Sequence, residues 1–463
     1  MERTKLLDLP SKIGETVTIN GWVNRQRKLG SKLVFIDLRD RSAIAQVVLP
    51  LDELTEQEQA VALDARAEWV LEIEGIVNKR GEKQINFSLP TGSIEVLAKK
   101  VRLLNKSLVP PFEIDNEERQ ANEELRLKYR YLDLRHDRMK RNIELRYKII
   151  KYIRDWLDKK EFWEIETPLL TKGTPEGARE YVVPSRLHKG KYYVLPQSPQ
   201  QFKQLLMVAG MERYFQIARC FRDEDQRGDR QPEFTQLDME MSFVEQEDVM
   251  KLNEQLFIDL IQHTDPDKKI QEIPFPRLTY QQAMDKYGTD HPDLRTDKNN
   301  PNLLAFCWII DFPFFEKTEE GGWTFTHNPF SAPKPEWQES LVNKKDIGKI
   351  ITSQYDVVLN GYEIGGGSIR NHQPEMLRKV FEIMGFNEEQ IKEQFGHMLE
   401  ALQYGAPPHG GIAWGLDRLL AILCNEPNIR EVIAFPKTSD AKDLMMSAPS
   451  DLPKQQLKDV GLI

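Results

Sequence analysis

Cysteine is scarce in this sequence, and long apolar runs are absent. The three cysteines, Cys220, Cys307 and Cys424, are far apart and odd in number. A disulfide framework or a zinc site is therefore not expected, and a reducing cytoplasm is the natural compartment. No apolar run reaches the roughly 18 residues that a membrane span needs, and the N-terminus lacks the apolar core of a secretion signal. These absences predict a cytoplasmic protein that does not enter a membrane.

Positive charge is also in deficit, but unevenly so. The formal net charge is −9 over 463 residues. Residues 1–108 contain 17 Lys and Arg against 15 Asp and Glu, so the excess of acid lies in the remainder. Nucleic-acid binding depends on local patches, so the overall charge does not exclude it. The N-terminal cations cluster at two places: Arg25, Arg27, Lys28 and Lys32, then Lys79, Arg80 and Lys83.

The first hundred residues read as short strands separated by turn signals. Five strands are predicted, near residues 17–23, 33–36, 44–49, 69–77 and 94–97, with one helix at 51–66. This order suggests an OB-type β-barrel over residues 1–105, a common platform for single-stranded nucleic acid, although any small β-barrel would share the pattern. Residues 106–130 are proline-rich at first and then charged, which predicts a hinge or linker.

Three segments of the remaining chain carry the chemical signal. In residues 143–168 an amphipathic helix runs into a strand ended by Pro168. Residues 214–240 contain Arg222-Asp223-Glu224 and then residues 230–236, and residues 410–424 contain a glycine pair followed by Asp417-Arg418. Together these segments resemble motifs 1, 2 and 3 of the class II aminoacyl-tRNA synthetases. The resemblance implies an α+β fold in which residues 131–463 form an antiparallel sheet flanked by helices.

The resemblance also implies ATP as a substrate. In adenylate formation a carboxylate attacks the α-phosphate, and charge grows on phosphate oxygens, so fixed cations are needed. Arg222 and Arg418 are the catalytic candidates, on the α-phosphate and the γ-phosphate. Glu224 resembles the residue that reads the adenine amino group, and Phe234 the one that stacks on its ring. The other ATP contacts implied are Asp223, Gln231, Glu363, Gly415, Leu416 and Asp417.

Two acids resemble the family's metal ligands. Asp356 and Glu363 flank six residues of what looks like one strand, and the glycine run 365–367 follows. Carboxylate and phosphate oxygens are the ligands that Mg²⁺ prefers. The expected cofactor is therefore Mg²⁺, held beside ATP.

Within the class, the sequence is most similar to aspartyl-tRNA synthetases of the bacterial type. Lys203 and Arg370 match the cations that clamp the side-chain carboxylate of L-aspartate. Two cations suit a carboxylate better than the amide of asparagine or the ammonium of lysine. Glu176 and Asp238 are the anions available for the aspartate ammonium group. Further aspartate contacts are implied for Ser198, Gln200, Arg222 and His327.

The resemblance extends to RNA and to assembly. Phe35 and Gln46 match positions that read the anticodon of tRNA(Asp), and Arg27 and Glu95 fall at further anticodon contacts. Phe35 alternates with two aliphatic neighbours, so the sequence leaves open which face of the strand is buried. Motif 1 implies a homodimer with an isologous interface.

Two departures and three alternatives remain. The C-terminal tail after Pro449 is short. Bacterial members usually carry an extra domain between motifs 2 and 3, which is missing here. An asparagine-specific relative, or a synthetase-like paralogue that makes a small molecule from an aspartyl-adenylate, would share the motifs. A non-catalytic nucleic-acid-binding protein would have lost Arg222, Glu363 or Arg418, which are all present. Charging of tRNA(Asn) in addition to tRNA(Asp) is left open.

Overall fold

A computed structural model describes residues 2–115, 120–173 and 177–463. The chain divides after Asn122 into two compact units, a point inside the predicted hinge, and each unit is described by itself. Within the described ranges, no helix has the length and apolarity needed to cross a membrane.

The N-terminal unit is a closed five-stranded barrel, with the predicted strands and the predicted helix in their expected order. Its elements are β1 (Thr16–Leu29), β2 (Leu33–Arg39), β3 (Ile44–Pro50), α1 (Glu56–Asp64), β4 (Val70–Lys79) and β5 (Ile94–Asn105). The strand order around the barrel is β1-β2-β3-β5-β4. Thr55 caps α1 through a capping box with Glu58, which explains where this helix begins. Alternate side chains of each strand fill the barrel interior.

The C-terminal unit contains eleven α-helices and fourteen strands among its described residues. The helices are α2 (Glu123–Lys128), α3 (Arg130–Asp133), α4 (Asp137–Asp158), α5 (Gln200–Val208), α6 (Gln246–Thr264), α7 (Tyr280–Tyr287), α8 (Gln338–Val342), α9 (Pro374–Ile383), α10 (Glu388–Leu402), α11 (Leu416–Leu423) and α12 (Lys454–Asp459). The strands are β6 (Trp163–Glu164), β7 (Val182–Pro184), β8 (Tyr192–Val194), β9 (Arg213–Phe221), β10 (Glu233–Ser242), β11 (Lys269–Ile270), β12 (Arg277–Thr279), β13 (Leu303–Leu304), β14 (Phe306–Ile310), β15 (Phe315–Lys317), β16 (Trp323–Phe325), β17 (Gln354–Leu359), β18 (Tyr362–Ile369) and β19 (His409–Gly415).

Eight of these strands form one sheet in the order β12-β14-β17-β18-β19-β10-β9-β6. Its six central strands are antiparallel, and only the two edge strands pair in parallel. Helices α4, α6 and α11 pack their apolar faces into the core that covers one side of this sheet. The amphipathic periodicity of residues 143–157 thus corresponds to α4, as predicted. The predicted strand after it is shorter than expected, because only Trp163 and Glu164 pair with β9.

The segment with the two candidate metal ligands is a hairpin, so the prediction of one continuous strand was wrong. Strands β17 and β18 are antiparallel, and Asn360 and Gly361 form the turn between them with φ values of 51° and 88°. Two successive residues with positive φ are typical of a tight two-residue hairpin turn. The turn folds Glu363 back towards Asp356, which a single strand would have kept apart.

Candidate functional site

A cavity of about 440 Å³ lies on the face of the sheet opposite the apolar core. The alternation of β10 explains this placement, because Leu237, Met239 and Met241 pack into the core and the residues between them face the other way. Segments far apart in sequence meet here. The predicted site residues that line the cavity are Ser198, Gln200, Lys203, Arg222, Glu224, Gln231, Phe234, Asp238, His327, Glu363, Arg370, Gly415, Asp417 and Arg418.

The two cations predicted to hold a carboxylate lie together at the buried end of the cavity. Lys203 on α5 has a side chain that is 1% exposed, and that of Arg370, just after β18, is 2% exposed. The Lys203 ammonium is 2.8 Å from Asp238 Oδ1 and 3.3 Å from Glu240 Oε2. Arg370 Nε donates to Glu240 Oε1 at 2.8 Å, and Arg370 Nη2 donates to Glu240 Oε2 at 3.1 Å. Glu240 therefore bridges the two cations.

The acids of this cluster differ in the way their surroundings change their pKa values. Burial is the largest effect on Asp238 and raises its pKa, against the opposing pull of Lys203. Burial acts on Glu240 in the same direction, but Arg370 and Lys203 outweigh it and lower the pKa of that carboxyl. One Asp238 oxygen, Oδ1, pairs with the Lys203 ammonium, and the other, Oδ2, has no hydrogen-bond partner among the described residues, which leaves it capacity for a bound ammonium group.

Arg222 lies directly after β9, as predicted, and faces the ring of Phe234 on β10. The guanidinium carbon is 5.1 Å from the ring centroid, a cation–π distance. Within the described part of the chain, Arg222 has no ion-pair partner, and its buried Nε lacks a hydrogen bond. The guanidinium is therefore oriented by the ring and still available to an anion.

Arg418 and Glu224 both form hydrogen bonds with side chains of the same loop. Arg418 Nη2 donates to Asp229 Oδ2 at 3.0 Å, and its Nη1 donates to the backbone carbonyl of Glu363. Arg230 Nη1 donates to Glu224 Oε2 at 3.1 Å. Asp229 and Arg230 are adjacent in the loop between β9 and β10, and both line the cavity.

Four other residues predicted to contact ATP either bond to other parts of the protein or lie away from the cavity. Asp417 accepts a hydrogen bond from Arg146 of α4 and another, at 2.8 Å, from the Thr235 backbone N–H. The Gln231 side-chain amide exchanges two hydrogen bonds with the backbone of Lys437, at 3.1 and 2.7 Å. The remaining two do not line the cavity within the described ranges: Leu416 is buried in the core, and Asp223 is exposed.

The two candidate metal ligands converge above Gly366. A Cβ atom at this glycine would lie 2.8 Å from Asp356 Oδ1 and 3.4 Å from Glu363 Oε1. Burial and the nearby Glu363 carboxylate raise the pKa of Asp356 well above its usual value. His327 Nδ1 is 3.7 Å from Asp356 Oδ2, and burial lowers the pKa of this histidine. Two carboxylates thus lie close together, and the raised pKa of Asp356 means that its ionised form is disfavoured without a cation nearby. Such a pair suits a hard divalent cation such as Mg²⁺.

The described residues contain no cluster of three or more protein side chains spaced to hold a metal ion. Asp356 and Glu363 are the two carboxylates that would hold Mg²⁺, an ion that is often bound by only one or two carboxylates beside a nucleotide.

The predicted anticodon residues lie on one outer face of the barrel. Phe35 points outward while Val34 and Ile36 fill the interior, which answers the question that the sequence left open. Gln46 accepts a hydrogen bond from Arg27 at 3.2 Å and donates one to Glu95 at 3.1 Å. An aromatic ring beside a connected set of polar groups can stack on an unpaired base and read its edge.

Some site residues were missed, and one lies outside the described residues. Glu240 was missed, although its period-two spacing from Asp238 could have indicated it. Asp229 and Arg146 were also missed. Arg146 Nη2 donates to Thr235 Oγ1 at 3.0 Å and so joins motif 1 to motif 2. Glu176, predicted to bind the aspartate ammonium, is the residue outside the described ranges.

Comparison with known proteins agrees with this geometry. The family described as "tRNA synthetases class II (D, K and N)" matches residues 122–439, and the family "OB-fold nucleic acid binding domain" matches residues 17–104. The chain belongs to the class II tRNA synthetases. The first match contains the cavity residues that the three motifs contribute, and the second contains the outer barrel face.

Among curated class II synthetases, similar relatives carry aspartate-specific names. "Aspartate--tRNA(Asp/Asn) ligase" of Dehalococcoides mccartyi (strain CBDB1) is 40% identical over 588 aligned positions, covering 97% of both chains. "Aspartate--tRNA ligase" of Staphylococcus saprophyticus is 39% identical over 579 positions, covering 98% of this chain and 97% of the relative. Both alignments are longer than the 463 residues of this synthetase, so the relatives contain segments that it lacks, in agreement with the missing extra domain.

Solved structures show the same fold. Asparaginyl-tRNA synthetase from Pyrococcus horikoshii, complexed with asparaginyl-adenylate, aligns with a TM-score of 0.76 at 24% identity, covering 95% of this chain and 98% of that one. A putative aspartyl-tRNA synthetase from Leishmania major Friedlin aligns with a TM-score of 0.75 at 21% identity and covers 94% of each chain. The class II fold is therefore conserved at low sequence identity.

Proposed function

We propose that this synthetase ligates L-aspartate to tRNA(Asp) in two steps, through an aspartyl-adenylate. The observation that carries the proposal is the pair of buried cations, Lys203 and Arg370, in the same cavity as Arg222 and Phe234. The first pair suits a side-chain carboxylate, and the second suits a phosphate beside an aromatic base. One cavity thus combines the requirements of aspartate and of a nucleotide.

Charge balance supports aspartate over asparagine. When all four groups are ionised, Lys203, Arg370, Asp238 and Glu240 carry no net charge. Arg222 adds one positive charge, and aspartate brings one net negative charge. Asparagine brings no net charge, so the one positive charge of this five-residue set would stay uncompensated, which disfavours its binding.

In the activation step, the α-carboxylate of aspartate attacks the α-phosphate of ATP, and pyrophosphate leaves. Arg222 spans both reacting groups and stabilises the negative charge that grows on the phosphate oxygens. Phe234 orients the base by stacking, Glu224 binds the adenine amino group, and Arg418 holds the γ-phosphate. Asp356 and Glu363 would hold Mg²⁺, which would supply positive charge beside the phosphates.

In the transfer step, the terminal ribose hydroxyl of the tRNA attacks the aspartyl carbonyl and AMP leaves. None of the described residues is placed as an obvious general base, and the adenylate phosphate can accept the proton. The barrel face around Phe35, Arg27, Gln46 and Glu95 would bind the anticodon. The cavity would bind the terminal ribose of the tRNA, so recognition of the anticodon, a different part of the RNA, requires a second surface.

Assembly as a cytoplasmic homodimer belongs to the same proposal. Large apolar side chains are exposed on α4, on β6 and on the segment after them, where motif 1 lies. They are Tyr147, Trp163, Leu169 and Leu170. Exposed apolar surface of this kind is typical of an interface between protein chains.

Aspartate-dependent ATP–pyrophosphate exchange tests the first step, and charging of purified tRNA(Asp) and tRNA(Asn) tests the second. Lys203→Ala should abolish aspartate activation and leave ATP binding nearly intact. Lys251→Ala, an exposed lysine on α6, is the matched control and should retain full activity. Exchange with asparagine would instead indicate the asparagine-specific relative, and exchange without charging of either tRNA would indicate a small-molecule paralogue.

A further inference from the structure

Side chains of the loop between β9 and β10 contact the residues that are expected to bind the two ends of ATP. At one end, the Asp229 carboxylate accepts a hydrogen bond from Arg418 at 3.0 Å. Arg418 is the residue assigned to the γ-phosphate, so Asp229 presents anionic oxygens where phosphate oxygens are expected. At the other end, Arg230 donates an N–H to Glu224 at 3.1 Å. Glu224 is assigned to the adenine amino group, so Arg230 presents an N–H where that amino group is expected.

Hydrogen bonds hold the loop in a conformation in which the side chains of Asp229 and Arg230 face the cavity. Gln226 Nε2 donates to the Glu224 carbonyl at 2.7 Å, and the Gly228 carbonyl accepts from the Ile429 backbone N–H at 3.0 Å. Gln231 is held by the backbone of Lys437. The backbone on either side of Asp229 and Arg230 is thus anchored, while their side chains keep part of their surface in solvent.

We propose that Asp229 and Arg230 are intramolecular competitors of ATP that set its apparent affinity. This inference rests on the proposed function, because it uses the assigned roles of Arg418 and Glu224. ATP can reach Arg418 only when the Asp229 carboxylate leaves, since the carboxylate would otherwise repel the γ-phosphate. The adenine amino group can likewise reach Glu224 only when Arg230 swings away.

The exposure of the two ion pairs limits the size of the effect. The side chains of Arg418 and Asp229 are 29% and 38% exposed, and those of Arg230 and Glu224 are 47% and 30% exposed. Partly exposed ion pairs contribute at most about 1 kcal/mol, so each contact should weaken ATP binding by up to about fivefold. Such contacts are weak enough to open when substrate arrives.

Binding of two fragments of ATP separates the two contacts. Asp229→Asn should bind inorganic pyrophosphate about two- to fivefold more tightly than the wild type and should bind adenosine equally well. Arg230→Met should show the reverse, with tighter adenosine binding and unchanged pyrophosphate binding. Isothermal titration calorimetry of the full chain measures both, and ATP–pyrophosphate exchange gives the matching decrease in KM for ATP at unchanged kcat.

The loop itself offers matched controls. Asp225→Asn and Arg227→Met alter exposed residues of the same loop and should change neither fragment's affinity. Unchanged or weaker pyrophosphate binding by Asp229→Asn would overturn the inference. A lower kcat at saturating ATP would do the same, because it would place Asp229 in the loaded complex. If the wild type showed no aspartate-dependent ATP–pyrophosphate exchange, the proposed function itself would be contradicted.

Discussion

Glu240 offers the sharpest test of how the aspartate pocket is built. Glu240→Gln keeps the volume and one acceptor oxygen, but it removes the charge that bridges Arg370 and Lys203. Three contacts are affected, at 2.8 and 3.1 Å to Arg370 and at 3.3 Å to Lys203. The side-chain amide would also turn an N–H donor towards a cation. Removing one partner from a buried ion pair typically costs about 3–5 kcal/mol.

We therefore expect Glu240→Gln to lower the free energy of unfolding by about 3 kcal/mol, at the low end of that range because glutamine keeps one acceptor. Urea denaturation followed by tryptophan fluorescence measures this, because Trp414 is buried in the same unit and stacks on Phe257 at 3.6 Å. Glu233→Gln on the same strand is the control. Its partly exposed pair with Arg219 should contribute less than about 1 kcal/mol.

The deficit of Glu240→Gln should also depend on pH. Arg370 and Lys203 lower the pKa of Glu240 despite burial, so the folded state favours the ionised carboxylate. That contribution is complete above the usual carboxyl pKa and is lost as pH falls through the lowered folded pKa. The difference between wild type and variant should shrink in acid. A difference below about 0.5 kcal/mol at pH 7, typical of surface changes, would refute the bridging role.

Two further predictions concern other parts of the molecule. Phe35→Ala should raise the KM for tRNA in the charging assay by the equivalent of about 1–3 kcal/mol of lost base stacking, while ATP–pyrophosphate exchange stays unchanged. A change in exchange would contradict a role confined to RNA. Arg146→Met should raise the KM for ATP in the exchange assay, because Arg146 holds Asp417 beside Arg418 and bonds Thr235 at 3.0 Å. An unchanged KM for ATP would show that these contacts do not position the nucleotide site.

Local pattern was sufficient for the elements that depend on short-range physics. The barrel strands followed from alternation and turn residues, and α4 followed from the recurrence of apolar residues every three or four positions. The segment from Asp356 to Glu363 was misread because Asn360-Gly361 turns the chain between two apolar stretches. An Asn-Gly dipeptide between two apolar stretches is a hairpin signal, so the sequence does contain an indication of this turn.

The sequence by itself determined which residue types are available for the chemistry: Arg222, Lys203, Arg370 and the paired acids are chemically suited to phosphate, carboxylate and metal wherever they lie. Tertiary structure alone decided which of them meet. Glu240 contacts Arg370 across 130 residues, and no local signal specifies such a pairing. The partners that occupy Arg418 and Glu224 were likewise hidden from the sequence. Long-range contacts depend on the register of the whole sheet. Alternation within one strand determines which side chains share a face, but the pairing of neighbouring strands determines which residues those side chains contact.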